Sequence, residues 1–126
     1  MTNPIVITLP GHPLTPNRTR RMHFMAVAKE RATWRTAAHL ASLDAASQRC
    51  DTPIQHAEVH LVYRYTRRGR RDLDNIIASA KGLIDGLVGV LIPDDDWTHL
   101  VRLSASVECP ADRDEVLVEV FNADPA

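Results

Sequence analysis

From Arg20 to Arg49 the chain runs without a single glycine or proline and is rich in alanine. Nothing in that stretch stops a helix, and alanine favours one because it loses no side-chain entropy on coiling. Met25, Ala28 and Ala32, then Ala38, Ala41 and Ala45, recur at helical spacing, so one long helix is expected over residues 24–48. Its early part is rich in arginine.

The flanking segments read differently. Ile5-Val6-Ile7-Thr8-Leu9 is a β-branched run closed by Pro10, which is a strand signal. Pro13, Pro16 and Asn17 make the next segment a loop. Across 56–66, Ala57, Val59, Leu61, Tyr63 and Tyr65 alternate with Glu58, His60 and Arg64, the pattern of a half-buried strand. Ile76, Ile77, Ala80, Leu83, Ile84, Leu87 and Val88 then fall at three- and four-residue steps, predicting a second helix from Asn75 to Val90 with Asp74 as N-cap. In the next segment Leu100, Arg102, Ser104 and Ser106 alternate with Val101, Leu103, Ala105 and Val107, and Glu115–Phe121 reads as a last strand. The expectation is one α+β domain over 1–126 in the order β-α-β-α-β-β, a mixed sheet packed with two helices.

Composition narrows the function classes. Apolar residues make up 44% of the chain, too many for disorder. No apolar run reaches the roughly 18 residues that span a bilayer, and Met-Thr-Asn-Pro is not a signal peptide, so a cytoplasmic protein without a membrane partner is expected. Cys50 and Cys109 form no CxxC pair and read as reduced, partly buried thiols. There is no glycine-rich phosphate loop, no HExxH and no GxSxG, so no nucleotide cofactor is expected. The scattered histidines, His56 and His60 included, read as structural.

The net charge is −1, but it is unevenly spread. Six of the 15 Lys and Arg lie between Arg18 and Arg35, and five arginines lie between Arg64 and Arg71. Most acids follow. Two basic segments beside an acidic cluster suit a polyanion held near bound cations; the plain alternative is two solvated surfaces of opposite sign.

Asp72 and Asp74 stand two apart at a strand-loop-helix junction. In an extended segment they present two carboxylates to one point, which suits a hard cation such as Mg²⁺. The plain alternative is a helix cap with a second acid favoured by the helix dipole. On a continuous helix Lys81 lies two turns past Asp74 and leans back toward it, or else it pairs with Asp85 four residues on. One of Asp94, Asp95 and Asp96 can complete a cation site, unless the three form a solvated acidic turn. Asn17, Arg18, Arg21 and His23, with Arg31 and Arg35 behind them, offer phosphate donors ahead of the long helix. Trp34 either stacks on a base or, more plainly, joins the core.

The stretch Arg71-Asp72-Leu73-Asp74-Asn75, Lys81, Asp85-Gly86-Leu87, Pro93-Asp94-Asp95 resembles the RusA family of Holliday-junction resolvases, carried by phages and prophages. Ile5-Val6-Ile7-Thr8-Leu9-Pro10, Asn17-Arg18 and Arg21, His23-Phe24 extend the resemblance over nearly the whole chain. The resemblance implies an intertwined homodimer that uses Mg²⁺ or Mn²⁺ to nick four-way or branched DNA symmetrically, in recombination and repair. It implies Asp72, Asp74 and Asp95 as metal-holding acids, with Asp96 or Asp94 if the register shifts, and Lys81 as the catalytic lysine. Asn17, Arg18, Arg21, His23, Arg68, Arg70 and Arg71 would then hold DNA, and the products would carry 5′-phosphates. Three departures stand out. Some members carry the lysine where this chain has Ala78, the loop before Asp94 is about one residue short, which leaves the register of the third acid open, and Trp97 follows the acids in place of the smaller polar residue expected there. A non-catalytic junction-binding prophage protein is the alternative, and an RNA-processing nuclease with the same site is a third reading.

Overall fold

A computed structural model describes residues 3–124; the two residues at each end of the expected domain lie outside it. Four strands, β1 (Ile5–Pro10), β2 (Ala57–Arg64), β3 (Leu100–Glu108) and β4 (Glu115–Asn122), form one mixed sheet in the order β1-β4-β2-β3. β4 is antiparallel to both β1 and β2, whereas β2 and β3 are parallel. Parallel neighbours need a crossover. Here it is made by two short helices, α3 (Leu73–Ser79) and α4 (Lys81–Leu87). Between β1 and β2 lie α1 (Pro16–Thr19) and the long α2 (Phe24–Ser47). Among the described residues, four helices therefore stand where two were expected.

The alternation in the strands decides which face is covered. Ile5, Ile7 and Leu9, Val59, Leu61 and Tyr63, and Val116, Val118 and Val120 are all buried and join one core with Ile76, Leu83, Ile84 and Leu87 from the crossover. Most of their neighbours of opposite parity, such as Val6, His60 and Glu119, remain at least partly exposed, so the helices cover one face of the sheet. α2 packs on α4 and β1. Trp34 is half-buried against the core, in line with the plainer of its two readings.

Three expectations need correction. The predicted helix from Asn75 to Val90 is interrupted at Ala80, whose backbone (φ −87°, ψ 5°) ends α3 before α4 begins. The apolar spacing runs through the break because both short helices turn their apolar sides to the same core. Second, Leu100 pairs with Ala57 but Arg102 pairs with Glu58, so Val101 is bulged out and left 48% exposed. Leu100 thereby joins Leu103, Ala105 and Val107 on the core side, against simple alternation. Third, Cys50 and Cys109 are free but exposed, not partly buried. Among the described residues no helix is long and apolar enough to cross a membrane.

Candidate functional site

Leaving β2, the chain passes through the basic loop and enters α3 at the acids. Asp72, not Asp74, occupies the N-cap position, with an extended backbone (φ −96°, ψ 127°) and no side-chain capping bond. Because α3 starts at Leu73, Asp74 lies in its first turn. The two acids thus do not alternate along one extended segment, and the N-cap reading of Asp74 falls. Both side chains remain open. Among the described residues, Asp72 accepts only a long 3.4 Å contact from Arg70 Nε, and Asp74 Oδ1 accepts from the Asn75 amide at 3.0 Å. A carboxylate has about four acceptor sites, so each keeps oxygen capacity for a cation.

The break at Ala80 redirects Lys81. Instead of lying two turns along one helix from Asp74, it opens α4, and its Nζ lies 2.9 Å from both Asp85 Oδ1 and Asp95 Oδ2. Hydrogen bonds to these two carboxylates raise the lysine pKa above its ordinary value, Asp95 contributing most. The same ammonium holds the Asp95 carboxyl below the usual carboxylate range. The plain i,i+4 pair with Asp85 is present, and so is a link to the acidic run. Asp94 and Asp96 serve the turn itself: Asp94 Oδ1 accepts from the Asp95 amide at 2.7 Å, and Asp96 Oδ2 accepts from Thr98 Oγ1 at 2.8 Å.

The two halves of the candidate site line two different depressions, to both of which α3 contributes. Lys81 and Asp95 line a shallow pocket with Ile77, Ala78, Ile84, Leu100 and Leu103. Ala78 is one helical turn beyond Asp74 on α3. On the other side, Asp72 lines a cleft of about 390 Å³ with Thr15, Asn17, Tyr65, Arg70, Arg71, Asn75 and Ile76. Among the described residues, no three His, Cys, Asp or Glu side chains converge as a metal-holding group.

The basic residues divide by what holds them. Arg71 lies over the Tyr65 ring at 3.8 Å and donates to the Gly69 carbonyl at 3.0 Å, which fixes the guanidinium beside the cleft. His12 stacks on the same ring at 4.1 Å and bonds the Arg64 carbonyl at 2.6 Å. Burial pushes the Tyr65 phenol up, and the Arg71 charge opposes it. This His12–Tyr65 support for Arg71 escapes sequence reasoning; the shared side of Tyr63 and Tyr65 was its only trace. Asn17 Oδ1 accepts from Arg20 at 2.8 Å. His23 supports the helix that follows it: its Nδ1 accepts from the Met25 amide at 3.2 Å and caps α2, which leaves Nε2 to donate outward. Arg49, Arg64, Arg70 and Arg102 make the arginine ion pairs; Arg18, Arg21, Arg68 and Arg71 make none among the described residues. His56 and His60 bond Asp124 and the Ser104–Ser106 hydroxyls. No protein-family model matches the chain, and a search of curated proteins also gives no match.

Proposed function

We propose that the chain is a metal-dependent endodeoxyribonuclease that nicks four-way or branched DNA in the manner of the RusA family. One observation carries the reading: two open carboxylates, Asp72 and Asp74, stand at the start of α3 directly after the basic loop, and Asp72 lines a cleft with Arg70 and Arg71. The donor set is all oxygen and suits Mg²⁺ or Mn²⁺. Asp72 and Asp74 would hold the ion; Asp95 does not converge with them among the described residues, and would join only by exchanging Lys81 for the cation and moving toward α3. Such an ion neutralises phosphate charge and lowers the pKa of water.

The chain's own residues do the rest. Lys81, drawn out of its ion pairs by a phosphate, places positive charge where negative charge develops. Arg18, Arg21, Arg68, Arg70 and Arg71 hold backbone phosphates with Asn17 and the free Nε2 of His23. Binding should therefore weaken steeply with salt. The reading carries with it a homodimer matching the symmetry of the junction, a cytoplasmic location and phage or prophage origin.

A specific feature favours the alternative of a non-catalytic DNA-binding protein: Lys81 already satisfies Asp95 at 2.9 Å, so the pair is stable without a cation. A nicking assay on a synthetic four-way junction separates the two. Wild type should give paired symmetric nicks with Mg²⁺ and none with EDTA, and Asp74→Asn should lose at least about a hundredfold in rate while still binding. Junction binding without nicks in either Mg²⁺ or Mn²⁺ would sink the nuclease and leave the binding protein.

A further inference from the structure

The largest exposed aromatic side chain among the described residues is Trp97, 83% exposed and two residues beyond Asp95. It is not displayed on slack chain. The Asp96 carbonyl accepts from the His99 amide at 3.0 Å and from the Leu100 amide at 2.8 Å, and the Asp96 side chain accepts from Thr98. Asp95, on the other side, is tied to Lys81 at the start of α4. The turn carrying Trp97 is thus braced at the candidate site and at the entry to β3, while the indole faces solvent. Packing gives no reason for an indole at this position.

We propose that Trp97 is a stacking residue for an unstacked nucleobase next to the phosphate held at the Asp95–Lys81 end of the site. The inference rests on the nuclease reading for the place of that phosphate. The length scales agree. Two residues of chain span at most about 7 Å, and successive bases along a strand lie about 3.4 Å apart, so a base one or two nucleotides away is within reach of Trp97. Stacking a base on an aromatic side chain is worth about ten- to a hundredfold in affinity. Pulling a paired base out of a duplex costs a comparable factor. The gain therefore survives only where a base is already unstacked, as at a branch point, and Trp97 favours branched DNA over linear duplex. The acids around it repel bare DNA, so stacking should be strongest when a divalent cation is present.

The chain has two tryptophans, and Trp34 is the half-buried one. Trp34→Phe therefore leaves Trp97 as sole reporter; should that variant not fold, the difference in emission between wild type and Trp97→Phe reports the same side chain. Binding is followed by anisotropy of a labelled four-way junction and of a linear duplex of the same sequence, with Ca²⁺ replacing Mg²⁺. Saturating junction should quench the Trp97 emission by more than half, and the duplex should quench it much less. Trp97→Ala should lower the junction-to-duplex affinity ratio about tenfold, and Trp97→Phe should recover part of it. Unchanged emission at saturation overturns the proposal, as does an unchanged ratio in Trp97→Ala. A blue-shifted, concentration-dependent emission of the free protein, with the indole packed on a second copy, overturns it too. Nicking without quenching removes the stacking role and leaves the nuclease; quenching without nicking does the reverse.

Discussion

α3 and α4 have the same length and follow one another through Ala80, yet they are held in opposite ways. In α4, Gly82, Leu83, Ile84, Gly86 and Leu87 are all buried. A Cβ on Gly86 would come within 2.6 Å of both Ala38 Cβ and the Arg35 carbonyl oxygen, so α4 lies backbone to backbone against α2. In α3 only Ile76 is buried, and Leu73 is left 48% exposed beside the acids. The contrast separates scaffold from chemistry. Lys81 starts from a helix that cannot shift without moving α2, whereas Asp72 and Asp74 sit on one with few buried contacts and room to adjust around a ligand.

The sharpest way to break this contrast is Gly86→Ala. Alanine gains roughly 1 kcal/mol over glycine in a helix, but the overlap with Arg35 and Ala38, at the upper end of the about 1–3 kcal/mol that overpacking costs, should win and leave a net loss of about 2 kcal/mol. Urea unfolding should show a lower midpoint at unchanged slope; an unchanged midpoint would mean that α4 can lift off α2. Ala78→Gly, on the exposed side of α3, should cost only about 1 kcal/mol. If the two variants proved equally damaging, the division into a fixed and a loose helix would be wrong. Ser42 sharpens the packed side from α2: its hydroxyl is fully buried and has no hydrogen-bond partner among the described residues. Ser42→Ala should therefore gain about 1 kcal/mol and raise Tm by a few degrees.

The smallest effect is expected at Lys81. Its pairs with Asp85 and Asp95 are substantially exposed, so Lys81→Met should change stability by under about 1 kcal/mol. The sign with pH is specific. Asp95 has its pKa lowered in the folded state, so its share is present above the unfolded value of about 3.9 and is lost as pH falls through the folded one. Lys81 has its pKa raised, so its share is present below about 10.4 and is lost at more alkaline pH. Wild type and Lys81→Met should thus differ between about pH 4 and 10 and converge in acid. A difference that persists at pH 2.5 would assign the effect to packing of the lysine stem.

Much of the framework was legible in the residues alone. The absence of breakers and the alanine content were enough for a helix over 24–48, and α2 runs Phe24–Ser47. The alternation of Val59, Leu61 and Tyr63 marked the buried side of β2, because side-chain direction in a strand depends only on parity, and Val116, Val118 and Val120 follow the same rule in β4. The acids and arginines of the candidate site were visible as charge at a strand-loop-helix junction. Other features belong to the tertiary structure. The bulge at Val101 exists only relative to β2, and no periodicity within β3 announces it. The break at Ala80 follows from seating Gly82 and Gly86 against α2, a contact between segments some fifty residues apart. That break chose the partner of Lys81. The lysine and Asp85 are neighbours by helical spacing, but its meeting with Asp95 required the chain to turn back after α4 and bring the acidic run to the start of that helix. Local patterns determine elements and faces because they act through the backbone of one segment; which charges meet is decided by packing between segments.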